Sequence, residues 1–316
     1  MFRTFSVAVV AAAAALCSCS APQESEGEKT ATEAVTFAHP SYEGQVISFD
    51  KKPEKLVMEC YAYSSLHDYD IAPVGLFGFG CDDPAVKEDI DRNGIPLLGK
   101  EGEIDMEKLA EMRPDAVLGY GTLEGWGWLD ESGNKQLLGV APFVPLSNSD
   151  TIDGRINENR QIAAFLGGDV ESDKVKRADE ELTKAKEDFQ KAVAGTDLKF
   201  LFAIPTKEML YTAKDFAQPE LFAQLGAHVA GPEKPENDNP WARVAWEDAS
   251  SYPADVIFVE GYDESFDFDG ELWHALPAVK VGQLSGWEFK GATTAMSTAK
   301  WLNDVTQLVS SSKKVA

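Results

Sequence analysis

Two stretches of the chain carry one pattern. The first is Asp105-Met106-Glu107-Lys108-Leu109-Ala110-Glu111-Met112-Arg113-Pro114-Asp115-Ala116-Val117-Leu118. The second is Ala245-Trp246-Glu247-Asp248-Ala249-Ser250-Ser251-Tyr252-Pro253-Ala254-Asp255-Val256-Ile257-Phe258. In each, a Glu precedes an Asp by eight residues, a Pro stands just before the Asp, and an apolar, β-prone run follows. The pattern predicts a short helix, a proline stop and a buried strand. An unbroken apolar strand after a helix suits a parallel sheet covered on both faces. The copies lie 140 residues apart (115 to 255), so each belongs to its own lobe.

Further strands flank each copy. Lys55–Met58 and Ile71–Leu76 precede the first, and Leu198–Ile204 precedes the second. A helix over Pro219–Leu225 is stopped by Gly226, and Val279–Gln283 reads as a last strand. Between the copies lie two helical patterns. Thr151–Leu166 ends at Gly167-Gly168; Asp169–Ala194 carries Val175, Ala178, Leu182, Ala185, Phe189 and Val193 on one stripe. Sixteen helical residues span about 24 Å, enough for one stiff connection. The expected fold is α/β: two α/β lobes with parallel-type sheets, residues 39–150 and 169–316, joined by a long interlobe α-helix over 151–168. A ligand cleft lies between the lobes.

The 316 residues are 44% hydrophobic, enough for real cores. Acidic residues number 53 against 29 basic, a net charge of -24. That balance excludes a nucleic-acid partner, which needs clustered Lys and Arg, and disfavours an enzyme seated on anionic lipid. Arg3 and the apolar run Phe5–Leu16 read as an export signal, too short to span a bilayer. Leu16-Cys17-Ser18-Cys19 resembles the bacterial lipobox, with Cys19 as the lipidated residue. The alternative is an ordinary signal cut near Ala21. Residues 1–19 are thus a lipoprotein signal peptide and 20–38 an acidic disordered tether. The protein is expected to be exported and held by lipid at the outer face of the bacterial cytoplasmic membrane. Cys60 and Cys81 each follow one of two successive strands, so they are expected to pair; two separate buried thiols are the alternative.

The arrangement resembles the binding proteins of ABC importers for siderophores, haem and cobalamin, over roughly residues 40–310. The resemblance rests on Glu107…Arg113-Pro114-Asp115-Ala116-Val117, Arg160-Gln161-Ile162-Ala163…Leu166-Gly167, Ala275-Leu276-Pro277-Ala278-Val279-Lys280-Val281-Gly282-Gln283, and Ser65–Gly75 with Asp70 where a Gly is usual. It implies a ferric siderophore as ligand, a permease dimer as partner, and Glu107 and Glu247 as the docking residue of each lobe. It implies no catalysis and no cofactor, iron entering only inside a bound chelate.

The residues themselves agree on the absence of catalytic motifs. There is no G-x-S-x-G, no phosphate-binding loop and no H-E-x-x-H. Gly75–Gly80 lacks dinucleotide spacing and runs into Asp82-Asp83. His39, His67, His228 and His274 are scattered, so no metal set is expected. Ser265–Gly270 lacks calcium-loop ligands at its first and twelfth places. Aromatic residues fall instead after strands: Tyr61, Tyr63, Trp126, Trp128, Tyr262 and Trp287, with Trp246 beside Arg243, and Tyr211. Ligands of open α/β sheets bind at strand carboxyl ends, so these nine are the candidate ligand-binding residues. Arg243 would donate charge-assisted hydrogen bonds to iron-chelating oxygens. Catecholate chelates need several cations, and only Arg243, Lys207 and Lys214 are candidates; ferric hydroxamates, neutral or cationic, suit an acidic protein better. Haem is the alternative, with Met209 or Tyr211 as axial ligand, as is cobalamin. A tethered enzyme on the same scaffold is the alternative of a different class.

Overall fold

The computed structural model describes residues 34–82, 86, 92, 94–233, 235, 240–263 and 265–316. Cys19, the export signal and most of the tether lie outside them. Strands β1 (Val35–Ala38) and β2 (Val46–Phe49) form an antiparallel hairpin. Val35–Ala38 therefore correct the tether's far boundary. They form a strand because Phe37 buries its ring, stacked on Phe165 with centroids 4.4 Å apart. Glu158 ties the connection between these strands to the segment at Ser147, accepting from Ser41 Oγ at 2.5 Å and from Ser147 Oγ at 2.6 Å.

The N-terminal lobe continues with β3 (Leu56–Glu59), α1 (Cys60–Leu66), β4 (Gly75–Phe77), α2 (Met106–Met112) and β5 (Ala116–Gly119). A small hairpin, β6 (Gly121–Thr122) and β7 (Gly125–Trp126), is followed by α3 (Glu131–Val140) and β8 (Phe143–Pro145). The sheet order is β4-β3-β5-β8, every pair parallel. Helix α2 starts on Asp105, whose carboxylate accepts from Lys108 N, and stops where Arg113 turns left-handed before Pro114. A disulfide joins Cys60 to Cys81, Cα atoms 5.0 Å apart, linking the segments that leave β3 and β4.

Two helices, rather than one, bridge the lobes. Helix α4 (Ile152–Leu166) is capped by Thr151 and ended by left-handed Gly167. Its Ile152 and Ile156 join the C-terminal core, whereas Ile162, Ala163 and Leu166 join the N-terminal core. Helix α5 (Asp173–Ala194) runs back: Val175 sits in the N-terminal core, and Ala178, Leu182, Ala185, Phe189 and Val193 in the C-terminal one.

The C-terminal lobe holds β9 (Lys199–Pro205), β10 (Leu210–Thr212), α6 (Ala217–Gln224), β11 (His228–Ala230) and β12 (Ala242–Val244). A 3-10 helix (Trp246–Ser251), β13 (Val256–Glu260), α7 (Glu271–Ala275), α8 (Pro277–Lys280), β14 (Leu284–Trp287) and α9 (Ala295–Ser311) follow. The sheet order is β12-β10-β9-β13-β14, with β11 also on β9; β9, β11, β13 and β14 are mutually parallel. The strand expected at Val279–Gln283 is instead the end of α8 and a turn. Pro277 occupies the first helical turn and Gly282 turns left-handed, delaying the strand to Leu284. Helix α9 begins with a capping box between Thr294 and Ser297, worth about 1 kcal/mol.

Candidate functional site: the interlobe cleft

The parallel strands end at Glu59, Phe77, Gly119 and Pro145 in one lobe, and at Pro205, Glu260 and Trp287 in the other. Glu59 is the unusual residue among them, a carboxyl closing the apolar strand Leu56–Glu59 and fully buried. Two glycines make its notch: a Cβ at Gly119 would lie 2.9 Å from its Oε2, and one at Gly78 3.3 Å from its Cγ. Oε2 accepts from the Tyr120 N–H at 2.6 Å, while Oε1 has no hydrogen-bond partner. The Trp126 indole N–H faces the same carboxyl from beyond hydrogen-bonding geometry. Burial pushes the Glu59 pKa up to about 8, opposed by the Tyr120 hydrogen bond and the Lys290 charge. The group is therefore mostly protonated at neutral pH.

The segment after β14 crosses from the C-terminal lobe and seats on the other. Arg155, on α4, donates from Nη1 to Phe289 O at 3.2 Å. Thr293 N donates to Ser65 Oγ of α1 at 3.2 Å, both residues buried. Between these anchors the Lys290 ammonium lies 4.1 Å from the ring centre of Trp128 and 4.7 Å from that of Phe289. Burial pulls the Lys290 pKa down; Glu59, Glu260 and Glu288 act in the opposite direction. Beside this segment, at the strand ends of the C-terminal lobe, is a cavity of about 460 Å³. Tyr262, Trp287, Glu288, Thr293 and Trp301 line it, with Ile152 of α4. That volume fits a small organic ligand.

The expected site residues divide. Tyr61 is half-buried, its ring filling the space beside Gly80 and edge-on to Tyr120, centroids 6.1 Å apart. Trp128 is half-buried against Phe79 and under Lys290. Tyr262 and Trp287 line the cavity, though Trp287 is itself 2% exposed. Tyr211, Arg243 and Trp246 form a separate group on the C-terminal lobe. Arg243 is exposed and lies 5.7 Å from the Tyr211 ring centre, while Trp246 stacks on Phe268 and donates to Thr206 O at 2.9 Å. Lys207 is exposed, and Lys214 pairs with Glu233.

Two expectations fail. Trp126 is 0% exposed, packed in a core cluster with Phe77 and Leu137 rather than on a cleft wall. Gly78 makes room for it in the core, lacking the Cβ that would lie 2.7 Å from the indole. Asn134 then clamps its backbone, accepting from Trp126 N at 2.8 Å and donating to Trp126 O at 3.0 Å. Tyr63 is buried in the N-terminal core, edge-on to His67. Glu59, Tyr120, Arg155, Phe289 and Lys290 were missing from the sequence reading. Glu59 had a signal, a lone carboxyl at the end of an apolar strand; Lys290 had none, since only the fold carries it to the opposite lobe.

Two α/β lobes with helices bridging them and aromatic residues at their facing strand ends make a solute-binding architecture. The chain belongs to the periplasmic binding protein family, whose model matches residues 71–290. As a member of that family it is a binding protein of the extracytoplasmic space, not an enzyme. Its fold is shared by solved structures. The ferric-siderophore receptor DesE of Streptomyces coelicolor is 23% identical, with a TM-score of 0.78 over 89% of this chain and 99% of that one. FeuA of Bacillus subtilis, complexed with ferri-bacillibactin, is 17% identical, TM-score 0.64, covering 87% and 98%. SirA of Staphylococcus aureus, complexed with staphyloferrin B, is 17% identical, TM-score 0.60, also covering 87% and 98%. No curated protein matches the chain by sequence. Among the described residues no helix is long and apolar enough to cross a membrane.

Proposed function

We propose that this chain is the solute-binding lipoprotein of an ABC importer and that its cargo is a ferric siderophore, of hydroxamate type. The observation that carries this reading is the make-up of the interlobe cleft. Tyr61, Tyr120, Trp128 and Tyr262 supply aromatic surface, around Glu59, Glu260 and Glu288. Aromatic walls suit the apolar rim of a chelate. The carboxylates of Glu260 and Glu288 disfavour a strongly anionic tris-catecholate and tolerate a neutral or cationic tris-hydroxamate. Structures sharing the fold are described as a ferric-siderophore receptor and as siderophore complexes, which supports the cargo class.

In this reading Tyr61, Trp128, Tyr262 and Trp287 form the inner wall, and Tyr211, Arg243 and Trp246 an outer contact. Cys19 carries the lipid that holds the protein at the membrane. Glu107 and Glu247, both exposed and both second in a short helix, meet the two permease subunits. Iron arrives and leaves inside the chelate, and the chain performs no chemistry on it. Native mass spectrometry of residues 20–316 against a mixed panel of ferric hydroxamates, ferric catecholates, haem and cobalamin tests the cargo. Retention of a ferric hydroxamate supports the reading; retention of haem, cobalamin or a catecholate alone overturns it.

A further inference from the structure

The Lys290 ammonium sits between the faces of two aromatic rings contributed by different lobes, Trp128 and Phe289. The aromatic surface continues outward on both sides. Phe79 packs on Trp128 with centroids 4.8 Å apart, and Trp241 meets Phe289 edge-on at 5.5 Å. Among the described residues no hydrogen bond or ion pair holds this ammonium. The carboxyl groups of Glu59, Glu260 and Glu288 act on it only from longer range. A cation seated on aromatic faces with carboxyls standing off is the arrangement proteins use to bind organic ammonium groups.

We propose that the interlobe cleft contains a cation site, filled in this state by the chain's own Lys290, and that a protonated amine on the cargo exchanges for it. The inference rests on the ferric-chelate reading and adds the cargo's charge to it. Lys290 stands on a connecting segment and carries a flexible four-carbon stem, so its ammonium can swing out to water and recover full hydration. An incoming ammonium inherits both rings and the field of Glu260 and Glu288. An incoming carboxylate or catecholate oxygen is repelled by those same two carboxylates. Exchanging one ammonium for another leaves the charge of the cleft unchanged, which anion entry does not.

The test uses two ferric tris-hydroxamates that differ only in a terminal primary amine, free in one and N-acetylated in the other. Calorimetric titration of residues 20–316 should show the free amine binding about tenfold tighter, a modest cation–π preference. In Lys290→Met, which removes the internal competitor, the ratio of the two affinities should widen. In Trp128→Leu it should fall towards one. Equal affinities in the unmodified protein, or a narrowed ratio in Lys290→Met, would overturn the proposal while leaving the ferric-chelate reading intact. Binding of neither chelate would overturn both.

Discussion

Asp255 does in the C-terminal lobe what Asp115 does in the N-terminal lobe. Asp115 N donates to Lys55 O at 2.8 Å and its Oδ2 accepts from Lys55 N at 2.9 Å. Asp255 N donates to Lys199 O at 2.8 Å and its Oδ2 accepts from Lys199 N at 2.8 Å. Each aspartate thereby locks the start of its own strand, β5 or β13, to the start of the interior strand beside it, β3 or β9. The second oxygen differs in use. Asp255 Oδ1 accepts from Val315 N at 2.6 Å and Ala316 N at 2.8 Å, and the residue is fully buried. Asp115 is partly exposed, and Lys51 and Glu54 N share the same Oδ2 that takes Lys55 N.

That difference sets the first expectation. Asp255→Ala orphans three backbone donors around a buried site and should cost about 3 kcal/mol; Asp115→Ala, whose partners can turn to water, about 1–2 kcal/mol. Urea midpoints at constant slope measure both. Equal losses would contradict the role given to the Val315 and Ala316 contacts.

The Cys60–Cys81 bridge closes a short loop, the cysteines standing 21 residues apart. Loops of that length contribute on the order of 3 kcal/mol by restricting the unfolded chain. Reduction, or a Cys60→Ala, Cys81→Ala double variant, should lower the melting temperature by several degrees. An unshifted melt would remove the bridge from the stability account.

Glu59 makes stability fall as pH rises. Its folded pKa, about 8, lies above the ordinary 4.5, so between those values the folded state holds a proton that the unfolded state has released. Its contribution is complete below about pH 4.5 and is lost as pH climbs through about 8, at up to roughly 1.4 kcal/mol per pH unit. Glu59→Gln keeps the shape and removes the titration. Chemical denaturation from pH 5 to 8 should therefore show a flatter profile for the variant, and a slope identical to the parent's would show that Glu59 titrates normally.

Glu107 and Glu247 have a modest structural use, since a carboxylate in a first helical turn is worth about 0.3–1 kcal/mol. Permease docking asks more of them. The Glu107→Lys, Glu247→Lys protein should melt within a few degrees of the parent, retain chelate binding and fail to support uptake. Normal uptake by that folded variant would leave the pair with helix electrostatics alone.

The duplicated Glu-to-Asp segments expose the two-lobed fold because each encodes a complete unit, stop residue included, and Asp115 and Asp255 land at equivalent points. Helix ends at Gly167 and Gly226 were readable for the same local reason. The site was less legible. Aromatic residues after strands marked the cleft region, but pattern alone does not separate a wall from a core. Trp126 entered the core through a notch formed by Gly119 and by Gly78, which lies far from it in sequence and beside it in space. Lys290 reaches Trp128 across the lobes, a contact no local pattern encodes. The strand shifted from Val279 to Leu284 because a proline-started turn of helix inserted itself before it.

The central claim, that the interlobe cleft grips a ferric hydroxamate, is tested most directly by titrating tryptophan emission with the iron-loaded and iron-free forms of one such chelator. Trp128 lies in the cleft and Trp287 and Trp301 on the adjoining cavity, all within reach of an absorbing ferric centre. The account predicts saturable quenching by the ferric form with one-to-one stoichiometry, reduced in Trp128→Leu, and little response to the iron-free form. No saturable quenching by any ferric hydroxamate, with firm quenching by a ferric tris-catecholate of similar size, would contradict it.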